Sequence, residues 1–252
     1  MSGTVFLVGA GPGAPDLLTV RAARLLGEAD IVFHDALVLP EILSLSSTSL
    51  KIPVGKRCGR HSAAQRFINK RLADAARRYR IVVRLKGGDP MLFGRAHEEI
   101  SYLEKHGIRV EVVSGVTAAL AASAEIGVSL TRRGAARTVT FVTPRVGAGE
   151  RESTWVASVV AADTAAIYMG AGEAAAIAAA LIAAGKPRAT PVALVENASL
   201  PDSSVAYGTL AQLAQLAAGM RGGPALILLG EVYAEAAIRG QGRNSRVSNA
   251  AE

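Results

Sequence analysis

Short runs of aliphatic and β-branched residues alternate along the chain with longer stretches of helical spacing, the pattern of an α/β protein with parallel strands. Apolar runs at residues 5–8, 30–34, 50–54, 81–85 and 109–113 predict strands, with helices between them at 16–26, 62–78 and 95–106. A second series follows, with strands at 138–143, 165–169, 191–196 and 225–231 and helices at 154–161, 173–184 and 209–218. The two series read as two α/β domains, 1–113 and 114–238, the second opening on SGVTAALAASAEIG. No internal repeat links them. From residue 239 to 252, RGQGRNSRVSNAAE has no apolar period and reads as a disordered tail.

Composition narrows the function. The chain has 252 residues, half of them hydrophobic and 19% charged, enough for a sizeable core. Aromatics make up 4%, too few for a base-stacking platform, and no basic run interleaves with them, so no nucleic-acid partner is expected. The net charge of +7 rests mainly on arginine, whose planar fork suits carboxylates and phosphates. An anionic ligand and an arginine-biased genome both account for that excess. The single cysteine, Cys58, excludes an intramolecular disulfide and fits a reducing compartment. His34, His61, His97 and His106 lack H-x-x-x-H spacing, so no metal site is expected. The N-terminus lacks signal-peptide regions, and the longest apolar run, 174–184, is too short for a bilayer. The expectation is a cytoplasmic protein with no membrane partner.

Two glycine-rich strand ends carry the chemistry. In VVRLKGGDPMLFGR an apolar strand stops on Gly87-Gly88-Asp89-Pro90, where the backbone can be approached closely. In VFLVGAGPGAPDLLT the glycines fall at 9, 11 and 13, not in the G-x-G-x-x-G spacing of a dinucleotide turn, and Pro12 removes a backbone donor. A nucleotide turn and a ligand-free structural turn both remain open on these residues alone.

The motifs GAGPGAPDLLT, DALV at 35–38, VGKR at 54–57, VVRLKGGDPMLFGR, SGVTAA, LTRR and YMG occur in one order. Together they resemble the tetrapyrrole methylases, the class III methyltransferases, over residues 5–233. Within that family they resemble the members that act on uroporphyrinogen III. The resemblance implies two α/β domains with S-adenosyl-L-methionine folded into a cleft between them, and a homodimer. It implies a metal-free transfer of methyl to carbons 2 and 7 of uroporphyrinogen III, giving precorrin-2 for sirohaem or cobalamin.

By the same resemblance Pro12, Gly87, Gly88, Asp89, Leu92, Thr117, Ala118, Met169 and Ala198 contact the cofactor. Asp35 is the proton acceptor and Lys56 an acid or charge partner; Arg95, Glu98 and Arg133 face the tetrapyrrole, the arginines clamping its carboxylates. Each has a plainer reading. Asp35 can be a turn or cap residue, Lys56 a loop lysine, Met169 core packing, and Arg95 with Glu99 an ordinary i,i+4 pair. The chain departs from the family pattern at Ala96-His97, Ser114, Arg132 and Pro144-Arg145, positions that the resemblance puts around the acceptor more than the donor. Methylation of a later corrin precursor, an RNA methylase of the same superfamily and a non-catalytic α/β binding protein are the competing readings. The run EAAAIAAALIAAG supplies the apolar helical surface expected to support a dimer.

Overall fold

The computed structural model describes residues 2–46, 50–54, 61–146 and 153–238, with side chains of the third stretch from residue 65 onward. Lys56, Cys58 and the tail at 239–252 lie outside the described residues. The chain divides into two compact units, Met1–Ala118 and Ala119–Glu252, where the sequence pattern puts the division at 113.

In the first unit β1 (Thr4–Gly9), β2 (Ile31–His34), β3 (Leu50–Pro53), β4 (Ile81–Lys86) and β5 (Arg109–Val113) form one parallel sheet ordered β3-β2-β4-β1-β5. The helices are α1 (Val20–Glu28), α2 (Pro40–Ser44), α3 (His61–Ala76) and α4 (Ala96–Lys105). On one face, Leu26 of α1 and Ile42 of α2 belong to a core with Val8, Val32 and Leu85. On the other, Leu72 of α3 and Leu103 of α4 join Val5, Leu7, Phe33 and Val82. A parallel sheet covered on both faces needs apolar residues on both sides of its central strands, which is why β1 and β4 read as near-continuous apolar runs. Arg84 and Lys86 interrupt β4, and both are buried. Two residues apart, they share the strand face of Val82, beneath α3 and α4.

The helix predicted from residue 16 begins later. Pro15–Leu17 make a single 3-10 turn, and α1 starts at Val20, where Thr19 Oγ1 accepts the Ala22 N–H at 3.2 Å. A hydroxyl cap of this kind outcompetes continuation of the preceding turn. The short helix α2 was not predicted.

The second unit corrects the expectation of a parallel sheet. Its strands β6 (Val139–Val142), β7 (Thr164–Tyr168), β8 (Pro191–Glu196), β9 (Ser204–Thr209) and β10 (Ala225–Gly230) are ordered β6-β7-β10-β8-β9. Only β6 and β7 pair in parallel; β10 runs antiparallel between β7 and β8, and β9 antiparallel to β8. Residues 197–203, which join β8 to β9, are too few for a parallel crossover, so the chain turns back as a hairpin. Helices α5 (Ala118–Ile126), α6 (Trp155–Ala161), α7 (Ala174–Ala183) and α8 (Leu213–Ala218) complete the unit. Ile177 and Leu181 of α7 are buried in the unit's own core, so the remaining outward positions of that helix are mostly alanine.

The starts of neighbouring strands are fastened by the same device in both units. Asp30 Oδ2 accepts the N–H groups of Arg80 and Ile81 at 2.9 and 2.8 Å, joining the start of β2 to that of β4. Asp163 Oδ2 accepts those of Arg137 and Thr138 at 2.8 and 2.9 Å, joining the start of β7 to that of β6. These backbone hydrogen bonds hold the Asp163 carboxyl below its ordinary range.

Candidate functional site

In the first unit β1 and β4 are neighbours, but β1 leads to α1 on one face and β4 to α4 on the other. Their C-terminal ends thus diverge at a topological switch point, the place where open α/β sheets bind ligands. Three loops meet there. A Cβ on Gly9 would lie 2.6 Å from Gly115 Cα, and one on Gly115 would lie 2.3 Å from the Gly88 carbonyl oxygen. The backbones after β1, β4 and β5 are therefore in direct contact, which any side chain would prevent. Gly11 and Gly88, both at positive φ, exchange two hydrogen bonds: Gly88 N–H donates to Gly11 O at 2.7 Å and Gly11 N–H to Gly88 O at 3.2 Å.

Gly87 is different. Its φ is not positive, and a Cβ there would meet only the Leu37 Cβ, at 3.9 Å. Neither packing nor backbone conformation within the unit requires glycine at this position. The 3-10 turn after Gly13 also means that no helix N-terminus opens on the glycine turn, so the pyrophosphate cradle of a dinucleotide site is missing. Pro12 is half-buried between Gly11 and Gly13, and Thr117 is buried with its Cα 4.0 Å from a Cβ built on Gly88. Ala118 opens α5.

Asp89 works as a tie. Its Oδ2 accepts the Gly115 N–H at 2.9 Å and its Oδ1 the Met91 N–H at 2.8 Å, so its carboxylate fixes the loop after β5 and its own turn. Half-buried Leu92 follows, its N–H donating to Asp89 O. Phe93 and Arg95 then adopt left-handed φ values of 52° and 55°, and Arg95 caps α4 in that conformation.

The expected alternative pair of Arg95 with Glu99 does not form. Arg95 instead grips Glu98 side-on, Nε to Oε1 at 2.6 Å and Nη2 to Oε2 at 2.7 Å. The guanidinium hydrogen bond holds the Glu98 carboxyl below its usual range. Two of the three residues expected to face the tetrapyrrole are thus partners of each other, on an exposed surface.

Glu99 is fully buried within a charge cluster the sequence reading did not identify. Arg84 Nε donates to Glu99 Oε1 at 3.2 Å, Lys86 Nζ to Oε2 at 3.0 Å, and Gln65 Nε2 to Oε1 at 3.1 Å. Arg84 Nη2 reaches Asp35 Oδ1 at 2.5 Å, so the proposed proton acceptor hangs from this cluster with its side chain 31% exposed. Burial, then the neighbouring Arg84, pulls the Lys86 ammonium below its usual range. For Arg84 burial acts downward, but Asp35 and Glu99 outweigh it and hold the guanidinium up. The signal was available: two cations with one residue between them in an otherwise apolar central strand require buried anions.

The second unit holds the remaining predicted residues. Met169 follows β7 at φ 56°, and half of it is exposed, which does not fit the core-packing reading. Ala198 follows β8, flanked by Asn197 and Ser199 at φ 54° and 72°. Glu196 anchors that loop, accepting the N–H groups of Gly223 at 2.6 Å and Arg221 at 3.1 Å, while Glu125 Oε2 accepts the Ser199 N–H at 2.7 Å. β7 and β8 are each antiparallel to β10 and so run in the same direction, which puts Met169 and Ala198 at the same end of the sheet. Arg133 lies in the exposed 132–135 stretch that leads into the start of β6, so strand direction separates it from those two.

Of the departures, Ala96 is buried against the α3/α4 core and Arg132 is paired with Glu235 at 2.9 Å. A recess of about 600 Å³ lined by Leu120, Val128, Leu130, Val139 and Phe141 contains none of the predicted site residues. Among the described residues no three His, Cys, Asp or Glu side chains form a metal-binding group, and no helix is long and apolar enough to cross a membrane.

Five non-glycine residues have left-handed φ among the described residues, and all five lie in these strand-end loops. Each costs on the order of 1–3 kcal/mol, and such strain clusters where a ligand or reaction requires a particular backbone shape.

A family model described as Tetrapyrrole (Corrin/Porphyrin) Methylases matches residues 4–214. A sirohaem synthase from Psychrobacter cryohalolentis is 44% identical over 91% of this chain and 44% of its own length. One from Chromobacterium violaceum is 46% identical over 92% of this chain and 50% of its own. The chain thus spans about half the length of these curated relatives. Among solved structures, a uroporphyrin-III C-methyltransferase from Thermus thermophilus in complex with S-adenosylhomocysteine superposes with a TM-score of 0.79 at 40% identity, covering 91% of this chain and 93% of that one. A cobalt precorrin-4 methyltransferase of cobalamin biosynthesis gives a TM-score of 0.79 at 28% identity, over 91% and 95%.

Proposed function

The chain belongs to the tetrapyrrole methylases, and on that footing we propose that it binds S-adenosyl-L-methionine and methylates uroporphyrinogen III at carbons 2 and 7 to give precorrin-2. The observation that carries the reading is Gly87: an unpacked glycine without positive φ, at the switch point of β1 and β4. The residues present fit the cofactor, which offers an amino-acid end, a ribose and an adenine but no pyrophosphate. Open space over Gly87 and a glycine turn without a helix N-terminus suit such a ligand. Pro12, Gly87, Gly88, Asp89, Leu92, Thr117 and Ala118 of the first unit would hold it. For Asp89 the part played is to fix the loops, since both its oxygens accept backbone N–H groups. When bound, S-adenosyl-L-methionine supplies a methyl group on a positively charged sulfur.

Asp35 accepts the proton that the alkylated ring must lose, with Lys56 as acid or charge partner. Arg95 selects the acceptor by its carboxylates, exchanging the Glu98 carboxylate for one of the substrate's. Glu98, once released, can accept from pyrrole N–H groups. The functional assembly is a homodimer. The likeness to the precorrin-4 methyltransferase favours one second reading, methylation of a later corrin precursor.

Anaerobic incubation of the protein with uroporphyrinogen III and S-adenosyl-L-methionine, followed by mass spectrometry, tests the proposal. The expected product carries two added methyl groups. An unmodified tetrapyrrole, with later precursors methylated instead, transfers the assignment to the second reading.

A further inference from the structure

Arg84 is a buried arginine on a central strand, and each of its three nitrogens is engaged. Nη2 donates to Asp35 Oδ1, Nε to Glu99 Oε1 at 3.2 Å, and Nη1 to the Leu85 carbonyl at 3.0 Å. Glu99 is held in turn by Lys86 and Gln65, so the guanidinium plane is fixed on the α4 side. Asp35 is fixed from its backbone too, its N–H donating to Leu85 O at 3.2 Å and its carbonyl accepting from Val38. Its Oδ2 has no partner among the described residues.

Packing alone does not ask for this arrangement. An apolar side chain at 84 would continue the face that Val82 begins, and Lys86 could satisfy Glu99. Buried ion pairs are often replaceable by apolar residues without loss of stability. What the four charges do achieve is a neutral cluster, Arg84 and Lys86 against Glu99 and Asp35, that aims one half-exposed carboxylate at the end of β2.

We propose that Arg84 is a positioning residue for the methyl transfer: it holds one oxygen of Asp35 so that the other meets the acceptor's proton, and Glu99 anchors Arg84 to α4. This rests on the reading of Asp35 as proton acceptor. Lysine cannot replace the fork, because a single ammonium cannot span Asp35, Glu99 and the Leu85 carbonyl together.

The test is a double-mutant cycle in the full chain with Arg84→Lys, Asp35→Asn and their combination. Turnover of uroporphyrinogen III and calorimetric affinity for S-adenosylhomocysteine are measured for each. Arg84→Lys is expected to lower kcat by about tenfold or more, with KM for the methyl donor and S-adenosylhomocysteine affinity within about twofold of wild type. In the Asp35→Asn background it is expected to cause no further loss. The same fractional loss in both backgrounds overturns the proposal, because the arginine would then act independently of Asp35. Wild-type turnover in Arg84→Lys with loss in Asp35→Asn overturns the positioning role and leaves Asp35 standing. Full turnover in Asp35→Asn removes the reading of Asp35 itself, and this proposal with it. Should Arg84→Lys not accumulate as folded protein, Glu99→Asp keeps every charge, retracts the anchor by one methylene, and is expected to show the same kcat-specific loss; wild-type kcat there refutes the anchoring.

Discussion

Replacing Glu99 by glutamine removes one of the two anions in the buried cluster while changing almost no volume. Arg84 keeps Asp35, but Lys86 loses its only hydrogen-bonded anion among the described residues and faces an amide that must present its N–H₂ to one of two cations. Removing one partner of a buried pair costs about 3–5 kcal/mol. The protein has an exit, which bounds the cost: Lys86 can fold uncharged. At roughly pH 7.5 that costs at most about 4 kcal/mol, from about three pH units below the free lysine value at 1.36 kcal/mol each. Near pH 9.5 the same bound is about 1.4 kcal/mol.

The sign follows from proton binding. The Lys86 pKa is lowered in the folded state by burial and by Arg84, so between that value and 10.5 the unfolded chain binds more protons. Stability therefore rises with pH through this window, and the rise is larger in the variant, because Glu99, which raises the Lys86 pKa, is gone. The deficit of Glu99→Gln against wild type, measured by urea unfolding followed by circular dichroism, should be about 3–4 kcal/mol near pH 7.5 and shrink by roughly 2 kcal/mol near pH 9.5. Glu98→Gln, one residue away on the surface, should change stability by about 0.5 kcal/mol or less. Equal small effects from both variants, or a deficit independent of pH, would refute the account of the cluster.

Gly87→Ala should leave stability within about 0.5 kcal/mol and weaken S-adenosylhomocysteine binding in calorimetry, because its Cβ enters open space. Gly115→Ala should destabilise the first unit by about 1–3 kcal/mol, since its Cβ would lie 2.3 Å from the Gly88 carbonyl oxygen. Burial raises the Glu196 carboxyl, but hydrogen bonds from the Arg221, Gly223 and Gly222 N–H groups outweigh it and hold it below 4.5. Its contribution is therefore complete above that value and lost as pH falls through the lower folded one, and Glu196→Gln should flatten the acid limb of an unfolding titration. Sedimentation velocity over a wide concentration range should show a dimer, and a monomer throughout would exclude it.

The parts that could be read from the chain are those where local chemistry decides. Two glycines closing an apolar strand mark β4 and its loop whatever surrounds them, and the near-continuous apolar runs of β1 and β4 give a covered parallel sheet. Glu99 was misjudged because helical spacing offers it to Arg95 as readily as Glu98, and only the seating of α4 on β4 turns it inward. Helix α5 has little amphipathic contrast, since most of its residues are alanine, so no period announces it. Strand β9 lies at a sheet edge with a half-buried pattern, and its pairing direction depends on the short 197–203 connection, not on its own residues. For the site, Asp35 was legible as a strand-end carboxylate, but its tether to Arg84 depends on contact between residues 49 positions apart.

Asp30 and Asp163 hold the strand starts, whereas all five left-handed non-glycine residues among the described residues lie beyond strand ends. Each sheet thus has a conservative edge and an adaptable one. Laboratory selection for heat resistance should accumulate substitutions around the two aspartate clips with little cost in turnover. Selection for a new acceptor should spare those clips and rewrite the loops around Phe93, Arg95 and Asn197, whose strained backbone becomes expendable once the ligand that requires it has changed.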